Sequence, residues 1–342
     1  MASTVVRRRV FALLAVLVIS AVAFALWLWS SLVTIAPRSG PADVLALIDG
    51  AAPPAGSVAE KIRGGARVTL LLLARGGSQA EDPNLTDTIL VLSAGGARPP
   101  VLVSLPRWLS VRIPAPAHGV VMSQLYAAYE LGTQRDNPGL SPRFQTATGG
   151  GDLAAATVSD LIGWPIDGWM VIDIRAFRAM VDALGGVELT GPTSLDDAQY
   201  PIDDSTRTMR IHFNAGRQRM NGEQALQYAR SRLSTSEADR ARRQQLVLTA
   251  IVQRISSMGL GLRTVPLVAA LRGGMMTNLR PIDLKELSRL LGGAGLEHSR
   301  HVTIDDSDLV RKLPIAPNFY IVLPSDPTYR TLRSYLSDVL AG

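Results

Sequence analysis

Residues 168–190 read Gly-Trp-Met-Val-Ile-Asp-Ile-Arg-Ala-Phe-Arg-Ala-Met-Val-Asp-Ala-Leu-Gly-Gly-Val-Glu-Leu-Thr. Met170 to Ile174 reads as a strand. Ala176 to Leu184 reads as a helix stopped by Gly185-Gly186, and Val187 to Thr190 as a strand again. This β-α-β alternation predicts a mixed sheet covered by helices. Upstream, Val68 to Leu73 is a continuous aliphatic run, the mark of a buried strand. Asp87 to Ser93 and Pro100 to Leu105 are apolar runs separated by Ala-Gly-Gly-Ala-Arg-Pro, a β-hairpin with a longer loop. Gln124 to Leu131 and Leu153 to Ile162 read as helices, the second with Asp152 as its cap and Gly163 and Pro165 at its end.

Downstream, residues 191–219 look irregular apart from one short strand at Met209 to Phe213. Asn221 looks like the N-cap of a helix over 222–229, and a long helix follows from about Thr235 to Ser257. Residues 263–342 add helices near 264–271, 283–291 and 328–340, and strands near 301–304 and 319–323. No internal repeat and no domain boundary after residue 66 is evident.

The 342 residues suffice for one large or two modest domains. Hydrophobic residues make up 47% and aromatics 5%, so aliphatic side chains must fill the core. No cysteine occurs, which excludes disulfides, Cys-ligated metals and thiol nucleophiles. The four histidines, His118, His212, His298 and His301, show no metal-ligand spacing. The net charge is +6, but Arg7, Arg8 and Arg9 are the only charges before Arg38; subtracting three leaves +3 for residues 37–342. A nucleic-acid binder shows a stronger basic footprint, so nucleic acid is not an expected partner.

Residues 10–37 carry no charge, and Val10 to Trp29 supplies enough apolar length to cross ~30 Å of hydrocarbon as a helix. With Arg7–Arg9 before it, this segment predicts a single-pass anchor, N-terminus cytoplasmic and the rest extracytoplasmic. The expected organisation is a basic tail over 1–9, a transmembrane helix over 10–36 and a Pro/Gly/Ala-rich linker over 37–65. The folded domain then spans 66–342, with its motifs in 66–258 and a C-terminal extension over 259–342.

Residues 228–245 read Tyr-Ala-Arg-Ser-Arg-Leu-Ser-Thr-Ser-Glu-Ala-Asp-Arg-Ala-Arg-Arg-Gln-Gln. Arg230, Arg232, Arg240, Arg242 and Arg243 fall in one short stretch, and the planar guanidinium fork matches phosphate oxygens. On a helix, Glu237, Arg240 and Gln244 share one face, Arg243 lies beside Arg240, and Arg242 points elsewhere. With Asp87-Thr88-Ile89, Ser104-Leu105-Pro106-Arg107, Gly168–Asp173, Asp182-Ala183-Leu184-Gly185-Gly186-Val187 and Met220–Gln227, this order resembles the LytR-CpsA-Psr family of bacterial cell-envelope proteins. The resemblance covers roughly residues 66–258.

The resemblance implies an α/β (α+β) domain, a central mixed sheet flanked by helices in a three-layer α-β-α arrangement. It implies transfer of a glycopolymer from an undecaprenyl-pyrophosphate carrier onto peptidoglycan at the cell membrane, assisted by Mg²⁺. Asp87 is the implied metal ligand and catalytic residue. Arg107 is implied to contact the pyrophosphate and take part in catalysis, and Arg230, Arg232, Arg240, Arg243 and Gln244 to bind the pyrophosphate. A carboxylate, Asp87 or Glu237, orients or deprotonates the attacking hydroxyl. Four places depart from the family's motifs, one being Gln124-Leu125-Tyr126-Ala127-Ala128-Tyr129 where the family has Lys-Ile-Asn-Ala-Ala-Tyr. Leu85 replaces an arginine, Trp108 an aspartate, and the strand ending Leu73-Ala74-Arg75-Gly76 lacks an acid, for which Glu81, Asp82 and Glu237 are the candidate substitutes. A non-catalytic polyprenyl-phosphate-binding envelope protein or regulator is the alternative.

Overall fold

The computed structural model describes residues 28–40, 43, 52–76, 84–202, 207–231, 236–258, 265–292, 295–296, 298–304, 308–316 and 319–341. In chain order these form α1 (Val58–Arg63), β1 (Val68–Arg75), β2 (Thr86–Ala94), β3 (Val101–Ser104), β4 (Ser110–Ile113), β5 (Val121–Gln124), α2 (Ala127–Thr133) and α3 (Gly149–Ile162). Then come β6 (Gly168–Asp173), α4 (Ile174–Ala183), β7 (Val187–Gly191), β8 (Leu195–Pro201), β9 (Thr208–Phe213), β10 (Gly216–Met220), α5 (Gly222–Arg230) and α6 (Glu237–Met258). The chain finishes with α7 (Val265–Leu271), β11 (Met275–Thr277), α8 (Pro281–Gly292), β12 (Arg300–Thr303), β13 (Val310–Ala316), β14 (Phe319–Pro324) and α9 (Arg330–Ala341).

The central sheet runs β11-β6-β1-β2-β3-β12. β1 is parallel to β6 and β3 to β12, while β2 is antiparallel to both β1 and β3. Side chains of a strand alternate between faces, and the core divides accordingly. Leu71, Leu73, Val91, Val101 and Val103 pack on one face with Leu153, Val158 and Leu161 of α3. Leu70, Leu92 and Leu102 pack on the other with Leu287 and Leu291 of α8 and with Leu248 and Val252 of α6. A satellite core joins α4, α5 and the β7–β10 region to Val247, Ala250 and Ile251 on another side of α6.

The expected β-α-β alternation is present in sequence as β6-α4-β7, but β7 does not join the central sheet: it pairs with β10 in a separate two-stranded sheet. Asp173 ends β6 and caps α4 by accepting from Ala176 N–H at 2.8 Å. Asn221 caps α5 in a reciprocal capping box with Gln224. Other expectations are corrected. Residues 191–219 hold three strands, β8, β9 and β10, where one was expected; β4, β5, β11 and β13 were not expected, and α1 forms within the expected linker, with Val58 in the core. Gln124 ends a strand instead of opening a helix. Asp152 sits within the first turn of α3, with Thr148 at the N-cap position. Its carboxylate accepts from Trp169 Nε1–H at 2.9 Å and from Thr148 Oγ1–H at 2.7 Å. The expected membrane segment lies outside the described residues up to residue 27; among the described residues no helix is long and apolar enough to cross a membrane.

The three glycines opening α3 let it lie directly on its neighbours. A Cβ on Gly151 would stand 2.3 Å from the Trp169 indole, which is 1% exposed. Alanine normally favours a helix over glycine by about 1 kcal/mol, but here the ring cannot move without opening the core. Gly151→Ala should therefore lower stability by about 1–3 kcal/mol in urea unfolding, and an unchanged or raised midpoint would show that the packing yields.

Candidate functional site

β1, β3, β6 and β12 all point one way, so their C-terminal ends share one edge of the sheet with the start of β2. Open α/β sheets commonly bind ligands at this edge. A cleft of about 600 Å³, counted to its open mouth, lies there. It is lined by Asp87, Arg107, Glu237, Arg240 and Gln244, with an apolar wall that includes Leu105, Ile304, Val310 and Val322.

A β-bulge presents Asp87. Ala74 lies opposite Thr88 and Arg75 opposite Thr86, which leaves Asp87 outside the ladder. Such a bulge re-aims one side chain without breaking the strand. Arg107, just after β3, forms an ion pair with the Asp87 carboxylate. The main chain of Tyr126 holds the two together. Its carbonyl accepts from Thr86 N–H at 3.3 Å and Thr86 Oγ1–H at 3.1 Å, and its N–H donates to the Arg107 carbonyl at 3.0 Å. Trp108 supports the guanidinium from below, its ring centroid 4.8 Å from Arg107 Cζ. Tyr126 in turn meets Trp108 edge-on at 5.0 Å. The departure Trp108 thus replaces a carboxylate with an aromatic platform.

The first turns of α6 supply the other wall. Ser236 and Asp239 cap the helix reciprocally, with Asp239 N–H to Ser236 Oγ at 3.1 Å and Ser236 Oγ–H to the Asp239 carboxylate at 2.7 Å. The Ser236 hydroxyl first, and then Ser236 N–H at 3.2 Å, hold the Asp239 carboxyl below its usual range. Glu237, Arg240, Ala241 and Gln244 then face the cleft at helical spacing, and Glu237 and Arg240 pair at 2.5 Å.

Of the expected ligand residues, Asp87, Arg107, Glu237, Arg240 and Gln244 converge on the cleft. Arg230 closes α5, partly buried, and is not among the cleft-lining residues. Arg232 lies outside the described residues. Arg243 is corrected. It is buried, its Nε–H donates to the Tyr228 carbonyl at 2.8 Å, and another guanidinium N–H donates to the Ser231 carbonyl. It satisfies the open carbonyls at the end of α5 and turns away from the cleft. Burial pulls its guanidinium below the usual range. Arg242 is exposed and pairs with Asp239 at 3.1 Å.

The sequence marked Trp108 only as a departure and gave no role to it, to Gln245 or to the Tyr126 main chain. Gln245 is fully buried and donates to Ser104 Oγ at 2.8 Å and to the Val302 carbonyl at 3.2 Å, pinning α6 to the ends of β3 and β12. Its position between Ala241 and Leu248 on one stripe of the helix was the available signal.

For a metal, the donor set is sparse. Among the described residues no group of three or more His, Asp or Glu side chains comes together. Asp87 offers one hard oxygen donor group at the cleft, which fits a Mg²⁺ that keeps water and phosphate ligands but not an all-protein cage.

Residues 58–312 match the LytR_cpsA_psr family model, the class of cell-envelope protein that these motifs resemble. The chain belongs to the LytR_cpsA_psr family. It is similar to the polyisoprenyl-teichoic acid–peptidoglycan teichoic acid transferase TagV of Bacillus subtilis (strain 168), 28% identical over 195 residues, 56% of this chain and 48% of that protein. It is also similar to the probable cell wall biosynthesis protein LcpB of Corynebacterium glutamicum (strain ATCC 13032), 28% identical over 223 residues, 58% of this chain and 47% of that protein. The chain thus spans about half the length of these curated relatives. The crystal structure of B. subtilis TagV superposes with a TM-score of 0.59 at 22% identity, over 81% of this chain and 98% of that one, a likeness of fold.

The placements of Arg243 and Arg240 predict opposite consequences. Arg243→Ala leaves buried carbonyls without donors and should cost about 1.5–3 kcal/mol in denaturant unfolding. Arg240→Ala should cost less than that, because the Glu237 carboxylate it leaves behind at the cleft still reaches water. Equal losses would contradict the division between clamp and ligand arm.

Proposed function

We propose that this protein transfers a glycopolymer from a polyprenyl-pyrophosphate carrier to peptidoglycan. The observation that carries this is the convergence of two guanidiniums, two carboxylates and a glutamine on one cleft with an apolar wall, at the C-terminal edge of the sheet. The names and family of its relatives support the same chemistry. Arg107 and Arg240 grip the pyrophosphate, and the apolar wall of Leu105, Ile304, Val310 and Val322 receives the first part of the prenyl chain. The attacking sugar hydroxyl forms a new P–O bond to the glycan-bearing phosphorus. The bond to the bridging oxygen breaks, polyprenyl phosphate departs, and the hydroxyl proton passes to Glu237 or Asp87. In the resting cleft each carboxylate is engaged by an arginine, so substrate phosphate must exchange for carboxylate on both guanidiniums. Mg²⁺, held by Asp87 and the phosphates, would neutralise charge on the transferring group.

The charge-free run behind Arg7–Arg9 supports a single-pass membrane anchor with the domain outside. Protease added to intact spheroplasts should then digest the domain; full protection would reject that topology.

A second hypothesis, a lipid-phosphate-binding protein without transfer, draws on β1 ending in Arg75 where the resemblance expects an acid. Mass spectrometry of the full chain incubated with a polyprenyl-pyrophosphate-linked oligosaccharide and peptidoglycan oligomers separates the two. Covalent glycan–peptidoglycan product with release of polyprenyl phosphate is expected. Arg107→Ala and Arg240→Ala should each reduce lipid binding by roughly 10- to 150-fold, the loss of one charge-assisted contact. Arg242→Ala should change it by less than about twofold, as an exposed pair contributes little. Asp87→Asn and chelation should both abolish turnover. Lipid binding without product would favour the non-catalytic protein.

A further inference from the structure

The β4–β5 hairpin ends in an apolar tip that the described fold leaves uncovered. Val120, Val121 and Met122 are 51%, 40% and 61% exposed. β4 buries Val111 and Ile113 completely, so the root of the hairpin is fixed in the core. Val121 lies opposite Ile113 and Met122 opposite Arg112. Ile113 is buried where its partner Val121 is not, so β4 is the inner strand of the hairpin and β5 the outer one, with Val121 and Met122 exposed on its two faces. Three successive exposed apolar residues on an outer strand offer a site for an apolar partner.

Chain path points to its occupant, and charge does not oppose it. No Asp or Glu occurs between Asp87 and Glu130, and of the hairpin's own ionisable groups, Arg112 and His118, Arg112 is balanced by Asp160 of α3. An anionic lipid surface is therefore not repelled. The charge-free segment 10–37 ends at Arg38, whose guanidinium bonds Thr148 Oγ1 at 3.3 Å and the Asp152 carboxylate at 2.9 Å. Thr148 closes the loop that contains Ser141, and Ser141 N–H bonds the hairpin's Ala115 carbonyl at 2.7 Å. The apolar N-terminal segment thus joins the domain beside the loop that carries the hairpin. The hairpin also continues directly from the cleft wall at Arg107 and Trp108.

We propose that the tip formed by Val120, Val121 and Met122 seats in the interface of a lipid bilayer and sets the cleft mouth at the level of the carrier's phosphates. This rests on the membrane anchor proposed above. The apolar side chains lie among the acyl chains, as in other interfacial elements, while Arg112 stays with the domain, paired with Asp160 at 3.1 Å and lying over the Tyr329 ring.

The absence of cysteine makes a clean test possible. Met122→Cys carries a nitroxide in the full chain, reconstituted in vesicles of phosphatidylethanolamine and phosphatidylglycerol. Ala97→Cys, on the exposed β2–β3 turn at the opposite edge of the sheet, is the reference. The ratio of oxygen to nickel-chelate accessibility should be several-fold higher at position 122 than at position 97. Flotation with the vesicles reports the anchor separately. A floating protein whose two labels behave alike overturns the hairpin contact and leaves the anchor standing. A protein that does not float overturns both. The label requires no turnover, so its outcome is independent of the proposed transfer.

Discussion

The burial of Gln245 fixes the site. Its amide joins α6 to Ser104 at the end of β3 and to Val302 in β12, in a place with no exposure to water. A buried amide that donates twice is costly to displace. It therefore sets the rotation of α6 about its axis, and with it the direction of every other residue on the helix. Leu248 and Val252 meet the sheet, while Val247, Ala250 and Ile251 close the satellite core. Glu237, Arg240 and Gln244 are left at the cleft. One helix thus couples two cores and the ligand edge.

The inner strands of the sheet, β6, β1, β2 and β3, were legible because they are largely buried on both faces, which gives aliphatic runs such as Val68 to Leu73, while the short edge strand β11 was not. Nor were β8 and β10. β8 buries Leu195, Asp197 and Tyr200, so a carboxylate occupies one of its inner places, and β10 is Gly-Arg-Gln-Arg-Met, with only Met220 buried. Their hydrogen-bond partners, β9 and β7, decide them, and pairing across a sequence gap is not a local signal. The arginine cluster shows the same limit. Helical spacing correctly grouped Glu237, Arg240 and Gln244. It also put Arg243 beside Arg240, because three positions turn a side chain only about 60° from its predecessor. That turn is enough to aim Arg243 at the end of α5. Which neighbour an arginine meets is a tertiary fact.

Along the ligand edge, carboxylates and guanidiniums alternate from strand to strand. Arg75 at the end of β1 lies 3.9 Å from the buried carboxylate of Asp173 at the end of β6, and Arg175 lies 3.8 Å from it. A basic residue at the end of β1 is therefore consistent with its surroundings, since it partly offsets an acid already committed to capping α4. The next pair is Asp87 with Arg107, and across the cleft Glu237 pairs with Arg240. The local electrostatics of β1 thus serve the fold, and the carboxylate duty at the cleft falls on the bulged Asp87.

This arrangement bears on how a pyrophosphate would be received. The cleft lining carries three cations, Arg107, Arg240 and Lys312, against two carboxylates, Asp87 and Glu237. A pyrophosphate diester brings two negative charges, which exceeds the single surplus positive charge. The apolar wall lowers the local dielectric, so the imbalance would weigh more than in water. Two arginines can reorganise from carboxylate to phosphate, and doing so separates Asp87 and Glu237 from those guanidiniums beside an anion, where they can meet a proton or a cation. A proton captured by Glu237 or Asp87 is the one that an attacking hydroxyl must lose. A divalent cation arriving with the phosphates would meet Asp87 at the bulge. Charge balance alone therefore links ligand entry to the two events that phosphoryl transfer requires, deprotonation of the nucleophile and neutralisation of the transferring group.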